Sequence, residues 1–157
     1  LGISKFAIKK LNLQFLIWAV TKKNPLKKKS FFSLQKRIDF SRKLASKTNK
    51  IKIETYDDRI KSSKTISLVK YLKKKYKKSE IFFLIGSDNL IKFHKWHDWK
   101  KISNFCKIIV FPRTGYLKQV FNSKAYGYLG KEKIQFIKSK RINISSSKIR
   151  KNYLKYI

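Results

Sequence analysis

The chain has 157 residues, of which 42% are hydrophobic and 15% aromatic, a composition that excludes disorder and predicts one globular domain with a real core. Its 41 Lys and Arg against 8 Asp and Glu give a net charge of +33. The lysines are spread along the whole chain, as is typical of surface positions that tolerate any polar residue, so we expect no nucleic-acid partner. The single cysteine excludes an intramolecular disulfide, and the longest apolar run, residues 15–20, is too short for a membrane span, which together predict a soluble cytoplasmic protein.

Amphipathic and apolar segments alternate along the chain. Helical periodicity predicts helices over residues 3–11, 34–45 and 66–76, a weak one over 117–125, and a last one from about residue 146. Apolar runs predict strands over residues 14–20, 51–54, 81–85, 107–111 and 134–137. Continuously apolar strands between amphipathic helices predict a doubly wound α/β domain with a parallel sheet, spanning residues 1–157. Ligands of such domains bind where the strands end.

The first candidate site follows the strand over 81–85. Gly86 at the strand end permits close approach of a ligand to the backbone, and the carboxylate of Asp88 can accept hydrogen bonds from ribose hydroxyls. The alternative is an ordinary turn in which Asp88 caps a helix.

An aromatic and histidine-rich segment comes next. His94 and His97 are three residues apart, as in a metal-binding pair, but no further ligand is evident and we expect no zinc site. A tryptophan in a strand-end loop offers a flat surface for a heteroaromatic ring, or else anchors the loop to the core. Either Trp96 or Trp99 can be that anchor, which leaves the other for a ligand.

The third candidate site is a serine cluster before the last predicted helix. The hydroxyls of Ser145 and Ser146, the free N–H groups of a helix start and Arg150 one turn later would together bind an anion. A plain serine cap with a solvated arginine is the alternative.

These motifs, in this order, resemble bacterial nicotinate-nucleotide adenylyltransferases over nearly the whole chain. The matching stretches are residues 86–90, 93–97 and 144–150, with weaker similarity at Trp18, 24–27, 63–66 and 111–116. The resemblance implies a Rossmann-like nucleotidyltransferase that joins ATP and nicotinate mononucleotide into deamido-NAD and pyrophosphate with the help of Mg²⁺. The segment at 93–97 argues against relatives that act on phosphopantetheine or nicotinamide mononucleotide.

The resemblance also implies roles for individual residues. Gly86 and Asp88 would contact the ribose of ATP, and Ser145, Ser146 and Arg150 its phosphates. On the nicotinate mononucleotide side, Trp96 would stack on the ring, backbone N–H groups around Thr65 would hold the carboxylate, and Arg113 would contact a phosphate. Near Thr65, Lys64 and the pair at 67–68 replace the family's usual Tyr and Asp-Thr, which weakens that part of the resemblance.

The family's first strand and its Gly-x-Phe-x-Pro-x-His-x-Gly-His loop, which carries the catalytic histidines, have no counterpart in the sequence. Alignment of the first helix places Leu1 directly after the second histidine, so we expect a chain truncated there, lacking its first strand, and also short at its C-terminus. We expect such a chain alone to be poorly soluble or inactive, since a buried central strand contributes more than the roughly 5–15 kcal/mol of a typical domain's net stability. A catalytically dead remnant and a basic RNA-binding protein are the alternative interpretations.

Overall fold

The structure is a computed structural model that describes residues 1–22 and 30–138. Its helices are α1 (Gly2–Lys10), α2 (Leu34–Ala45), α3 (Thr65–Lys75), α4 (Ser87–Ile91), α5 (Trp99–Ile102), α6 (Leu117–Phe121) and α7 (Lys124–Lys133), with a 3₁₀ turn at Phe93–Lys95. Its strands are β1 (Leu16–Ala19), β2 (Ile51–Glu54), β3 (Phe82–Gly86), β4 (Lys107–Phe111) and β5 (Ile134–Phe136). Within these ranges, no helix has the length and apolarity that a membrane crossing requires.

All strand pairs are parallel, as the alternation of helices and strands predicts. The strands form two sheets, however: β1 pairs with β2, and β3, β4 and β5 pair in that order. The register of the larger sheet sets Gly86 opposite Phe111, so that β3 and β4 end side by side. The α/β class and the parallel strands are therefore confirmed, and the strand-end residues after β3 and β4 meet at one edge.

Helices cover both faces of the larger sheet. On one face, Ile85, Ile108 and Val110 pack with residues of α3, α4, α5, α6 and α7 in one buried cluster. On the other face, Ile109 and Phe111 form a second cluster with Ala7 of α1 and Leu16 of β1. Because strand residues alternate between faces, a run that is apolar at every position fills both clusters.

The sequence pattern does not predict the shortest helices, and it predicts one helix where the structure has two. The helices α4 and α5 have five and four residues, too few for a periodic apolar pattern. The predicted weak helix over 117–125 is two helices, α6 and α7. The sequence pattern of α7 is weak because the helix contains glycines, and Gly130 interrupts it with φ 64° and ψ −173°. The helix predicted from about residue 146 lies outside the described residues.

Candidate functional site

Strands β1 and β3 line one large cavity of about 1270 Å³ along their whole length, and we call it the inter-sheet cavity. Three of the predicted site residues line it: Gly86, Trp96 and Arg113. Asn89, Thr114 and Tyr116 line the same end of the cavity, and Trp18 contributes from β1. The structure thus brings together residues from the loops after β3 and β4, as the parallel register requires.

Gly86 is distinguished by side chains that lie close to its Cα, not by an unusual backbone angle. Its φ of −82° suits any residue. A Cβ at this position would lie 2.5 Å from Asp88 Oδ1 and 3.3 Å from Arg113 Nε, closer than side chains pack. A Cβ here would therefore force the Asp88 carboxylate, and to a smaller extent the Arg113 guanidinium, to shift away from the strand end.

Ser87 joins the two strand-end loops. Its side chain is fully buried, and its hydroxyl accepts a 2.9 Å hydrogen bond from the backbone N–H of Arg113. A buried hydroxyl is tolerated only when it is hydrogen-bonded, so this bond fixes the start of α4 against the loop after β4. Ser87 is not among the site residues predicted from the sequence, although a short polar residue directly after an apolar strand is a signal for such a link.

Asp88 and Arg113 form an ion pair above this link. Arg113 Nη1 lies 3.1 Å from Asp88 Oδ2, and the two side chains are only partly exposed. The other carboxylate oxygen, Oδ1, is buried and has no hydrogen-bond partner among the described residues. Gly86, not Asp88, occupies the cap position of α4, so the alternative interpretation of Asp88 as a helix cap is wrong. Asp88 is left with an acceptor that lacks a donor.

Trp96 is half-buried and faces the inter-sheet cavity. Its ring packs 5.1 Å from that of Phe93 and 6.0 Å from that of Phe83, and its indole Nε1 is buried with no partner among the described residues. Trp99 instead packs on Tyr128, with 5.2 Å between ring centroids, and does not line the cavity. Both tryptophans pack against the core cluster, and of the two only Trp96 lines the cavity.

The two histidines of this segment have separate environments. His94 Nδ1 lies 3.0 Å from the carbonyl of Ile91, and because a carbonyl can only accept, Nδ1 carries the proton. His97 is exposed, with its Nε2 3.7 Å from Asp98 and 3.4 Å from Lys64 Nζ. In the part of the chain that the structure describes, no group of three or more His, Cys, Asp or Glu is placed to hold a metal ion.

Thr65 is the first residue of α3, at the helix end nearest to this segment. Lys64 in the cap position makes no side-chain capping bond, and the first helical bond runs from Leu68 N–H to the Lys64 carbonyl. The N–H groups of residues 65–67 therefore have no partner within the helix, as at any helix start. The contact of Lys64 with His97 ties this helix end to the Trp96 segment. Thr65 itself does not line the inter-sheet cavity.

The predicted phosphate-binding residues Ser145, Ser146 and Arg150 lie outside the described residues. The same holds for residues 24–27, part of the weaker similarity noted above.

A sequence profile of the cytidylyltransferase-like family matches residues 1–152. The chain belongs to this family. A protein of Pelagibacter ubique named "Probable nicotinate-nucleotide adenylyltransferase" is 47% identical over 151 residues, which are 96% of this chain and 83% of that relative. A protein of Aquifex aeolicus with the same name is 39% identical over 140 residues, 87% of this chain and 83% of that relative.

Solved structures agree on the fold of this cytidylyltransferase-like chain. The structure titled "Plasmodium falciparum nicotinic acid mononucleotide adenylyltransferase complexed with NaAD" superimposes with a TM-score of 0.68 over 94% of this chain and 75% of that one. The sequence identity is 16%, so this similarity concerns the fold alone. A second structure of the same Plasmodium enzyme, complexed with APC, gives the same TM-score at 15% identity, again with 94% of this chain covered and 74% of that one.

Proposed function

We propose that this protein transfers the adenylyl group of ATP to nicotinate mononucleotide, forming deamido-NAD and pyrophosphate. The observation that carries the proposal is the meeting of Gly86, Asp88 and Arg113 at the carboxyl ends of β3 and β4. In open parallel α/β folds, this edge is where nucleotides bind. The names of the 47% and 39% identical relatives support the choice of nicotinate mononucleotide as the second substrate.

The reaction requires no nucleophile from the protein. A 5′-phosphate oxygen of nicotinate mononucleotide attacks the α-phosphorus of ATP, a new P–O bond forms, and the bond to the β-phosphate oxygen breaks to release pyrophosphate. The protein therefore contributes mainly by orienting the two substrates and by stabilising negative charge. The catalytic histidines expected from the resemblance are not among residues 1–157, so the residues discussed below have binding and positioning roles.

On the ATP side, Asp88 is the residue best placed to receive the ribose. Its Oδ2 is held by Arg113, while Oδ1 is buried without a donor from residues 1–22 and 30–138. A ribose hydroxyl would supply that donor and satisfy an acceptor that is otherwise costly to bury. Gly86 leaves room for this carboxylate at the strand end.

On the nicotinate side, two adjoining features suit an aromatic carboxylate. Trp96 presents its ring to the inter-sheet cavity, where it can stack on the pyridine ring. The free N–H groups at the start of α3, around Thr65, can hold the carboxylate at the positive end of the helix dipole. Arg113 pairs with Asp88 through Nη1, so the other N–H groups of its guanidinium can donate to a phosphate oxygen.

We assign the triphosphate to Ser145, Ser146 and Arg150 on the strength of their motif. Mg²⁺ enters the proposal as part of the substrate, MgATP. Asp88 is already paired with Arg113, and the described residues form no acidic cluster that would bind Mg²⁺ directly.

The test is a coupled assay of the purified protein that follows the formation of deamido-NAD and pyrophosphate. With ATP, we expect kcat/KM for nicotinate mononucleotide to be at least about 10-fold higher than for nicotinamide mononucleotide. The amide of the latter carries no negative charge, so it would leave the carboxylate subsite without its ligand. A higher kcat/KM with nicotinamide mononucleotide or phosphopantetheine, or no turnover with any of the three, would contradict the proposal.

A further inference from the structure

Apolar side chains gather at one exposed place on and beside α2. Phe31 and Phe40 are 50% and 43% exposed, and Leu44, four residues after Phe40 and therefore on the same side of the helix, is 58% exposed. Phe32 connects the two phenylalanines, with its ring centroid 4.7 Å from that of Phe31 and 5.4 Å from that of Phe40. We call these four residues the α2 aromatic surface. Single exposed apolar residues are common on proteins, but a contiguous group of them indicates a binding surface.

The core does not use this side of α2. Leu34, Ile38 and Ala45 fall on one stripe of the helix, and all three are buried or half-buried. Phe40 and Leu44 lie about 100–140° around the helix from the centre of that stripe. Neither belongs to the two core clusters that the described residues form. Packing against the sheet therefore gives no reason for large apolar side chains at these two positions.

Two lysines border the α2 aromatic surface. Lys36 precedes Phe40 by four residues and Lys43 follows it by three, so both lie next to it on the helix. Both lysines are exposed, and neither forms a salt bridge within residues 1–22 and 30–138. The carboxylate of α2, Asp39, lies about 120° around the helix from the apolar residues and accepts a 2.9 Å hydrogen bond from Gln35. The partner that complements this side of α2 is therefore both apolar and negatively charged.

Two kinds of partner fit this surface poorly. A second copy of this chain would bring together two molecules of charge +33 and set the lysines of one against those of the other. RNA bases stack on the open faces of aromatic rings. The rings of Phe31, Phe32 and Phe40 instead meet edge to face, at 89° and 78°, which covers part of those faces. Neither self-association nor RNA binding therefore explains the arrangement.

A bilayer that contains anionic phospholipids fits the same surface well. At the headgroup boundary, a bilayer accepts aromatic and aliphatic side chains next to one another, while lysines contact the phosphates. A protein partner would need an acidic groove that matches this convex side of the helix. A bilayer adapts to the helix and requires no such matching shape.

We propose that the α2 aromatic surface attaches this protein to a bilayer that contains anionic phospholipids. Phe31, Phe40 and Leu44 enter the boundary between headgroups and acyl chains, and Lys36 and Lys43 bind headgroup phosphates. Attachment of this kind needs no membrane-spanning segment. Because a few apolar side chains or a few lysines alone bind weakly, both groups are required, and the attachment is reversible and weakened by salt. The proposal goes beyond adenylyl transfer and does not depend on which substrates the protein uses.

A dye that reports the polarity of its surroundings, attached at two positions of α2, tests the proposal. Leu44→Cys places the dye within the α2 aromatic surface, and Gln35→Cys places it on the far side of the helix. The native Cys106 is buried and does not compete for the label. With vesicles of phosphatidylcholine that contain about 30% phosphatidylglycerol, we expect a blue shift of the emission for Leu44→Cys and none for Gln35→Cys. With pure phosphatidylcholine, or at about 1 M salt, the affinity should fall at least about 10-fold.

Matched double variants test the role of charge. Lys36→Gln combined with Lys43→Gln should lower the affinity for these vesicles about 10-fold, because each lysine near an anionic bilayer contributes to binding. Lys9→Gln combined with Lys10→Gln removes the same charge from the end of α1 and should leave the affinity unchanged. An equal loss in both pairs would mean that only the total positive charge matters, and would overturn the proposal.

A matched pair of leucine variants tests the apolar contribution. Leu44→Ser should lower the vesicle affinity about 5-fold or more, whereas Leu117→Ser, which removes a leucine that is 44% exposed on α6, should not. Thermal melts check that each variant remains folded. The absence of vesicle binding, or equal dye shifts for Leu44→Cys and Gln35→Cys, would contradict the proposal. So would a shift for Leu44→Cys that grows with protein concentration without vesicles, as in a dimer, or that appears with single-stranded RNA but not with vesicles.

Discussion

Arg113 Nη1 lies 3.1 Å from Asp88 Oδ2, although 25 positions separate the two residues along the chain. The contact exists because β3 and β4 run in register and end together, with Gly86 opposite Phe111. It brings the acidic residue after one strand and the basic residue after the next into a single unit, on which the first two predictions depend.

Replacement of Gly86 by alanine should impair activity through the position of Asp88. The new Cβ would lie 2.5 Å from Asp88 Oδ1, so the carboxylate has to shift. We expect kcat/KM for ATP to fall about 10- to 100-fold, the usual result of a displacement of about 1 Å at a site. Gly127→Ala is the control, since no atom lies within 4 Å of its added Cβ. It should retain activity and, in the helix α7, raise stability by about 0.5–1 kcal/mol. Equal activity of both variants would refute this account of Gly86.

The substitution Asp88→Asn removes the charge and keeps the shape. Because the Asp88–Arg113 pair is partly exposed, we expect a change of less than about 1 kcal/mol in the free energy of unfolding. Loss of a charged acceptor for the ribose should instead raise KM for ATP about 10- to 100-fold. Thermal melts and steady-state kinetics measure the two effects separately. Asp58→Asn, which disrupts the exposed pair with Lys22, should change neither. A large loss of stability with unchanged KM would assign Asp88 a structural role only.

The two tryptophans should respond differently to truncation. Trp96→Leu removes the aromatic surface at the cavity, and we expect KM for nicotinate mononucleotide to rise about 10-fold while KM for ATP stays unchanged. Trp99→Leu removes the contact with Tyr128 and should lower the melting temperature without changing either KM. Titration of each variant with both substrates distinguishes the two. A larger rise in KM for Trp99→Leu would reverse their roles.

Cys106 should be inert in the folded protein. It is buried, its Sγ donates to the carbonyl of Ile102, and burial raises the pKa of the thiol from 9.0 to about 12. Since the folded state favours the protonated thiol, this contribution to stability is complete below pH 9 and is lost as the pH rises towards 12. We expect a disulfide reagent at pH 8 to label Cys106 only after unfolding in urea. Rapid labelling of the native protein would contradict the burial of this thiol.

The sequence predicts the long elements because each carries several turns or a continuous apolar run. Strand β2 has the predicted bounds, 51–54, and β4 the predicted bounds, 107–111. The sequence could not predict the pair between Asp88 and Arg113, because such a contact depends on the register of two strands. The hydrogen bond from the backbone N–H of Arg113 to the Ser87 hydroxyl depends on the same register, although the position of Ser87 after an apolar strand is a signal for such a link. The pairing of strands also depends on the whole fold, so the sequence could not predict that β1 and β3 lie in separate sheets.

The packing of α1 has a consequence for the cooperativity of folding. Ala7 is fully buried in a cluster with Leu16 of the smaller sheet and Ile109 and Phe111 of the larger one. The helix thereby joins two units that have no backbone pairing between their strands. A fluctuation that loosens α1 exposes apolar surface on both units at once, so we expect the two units to open together rather than separately.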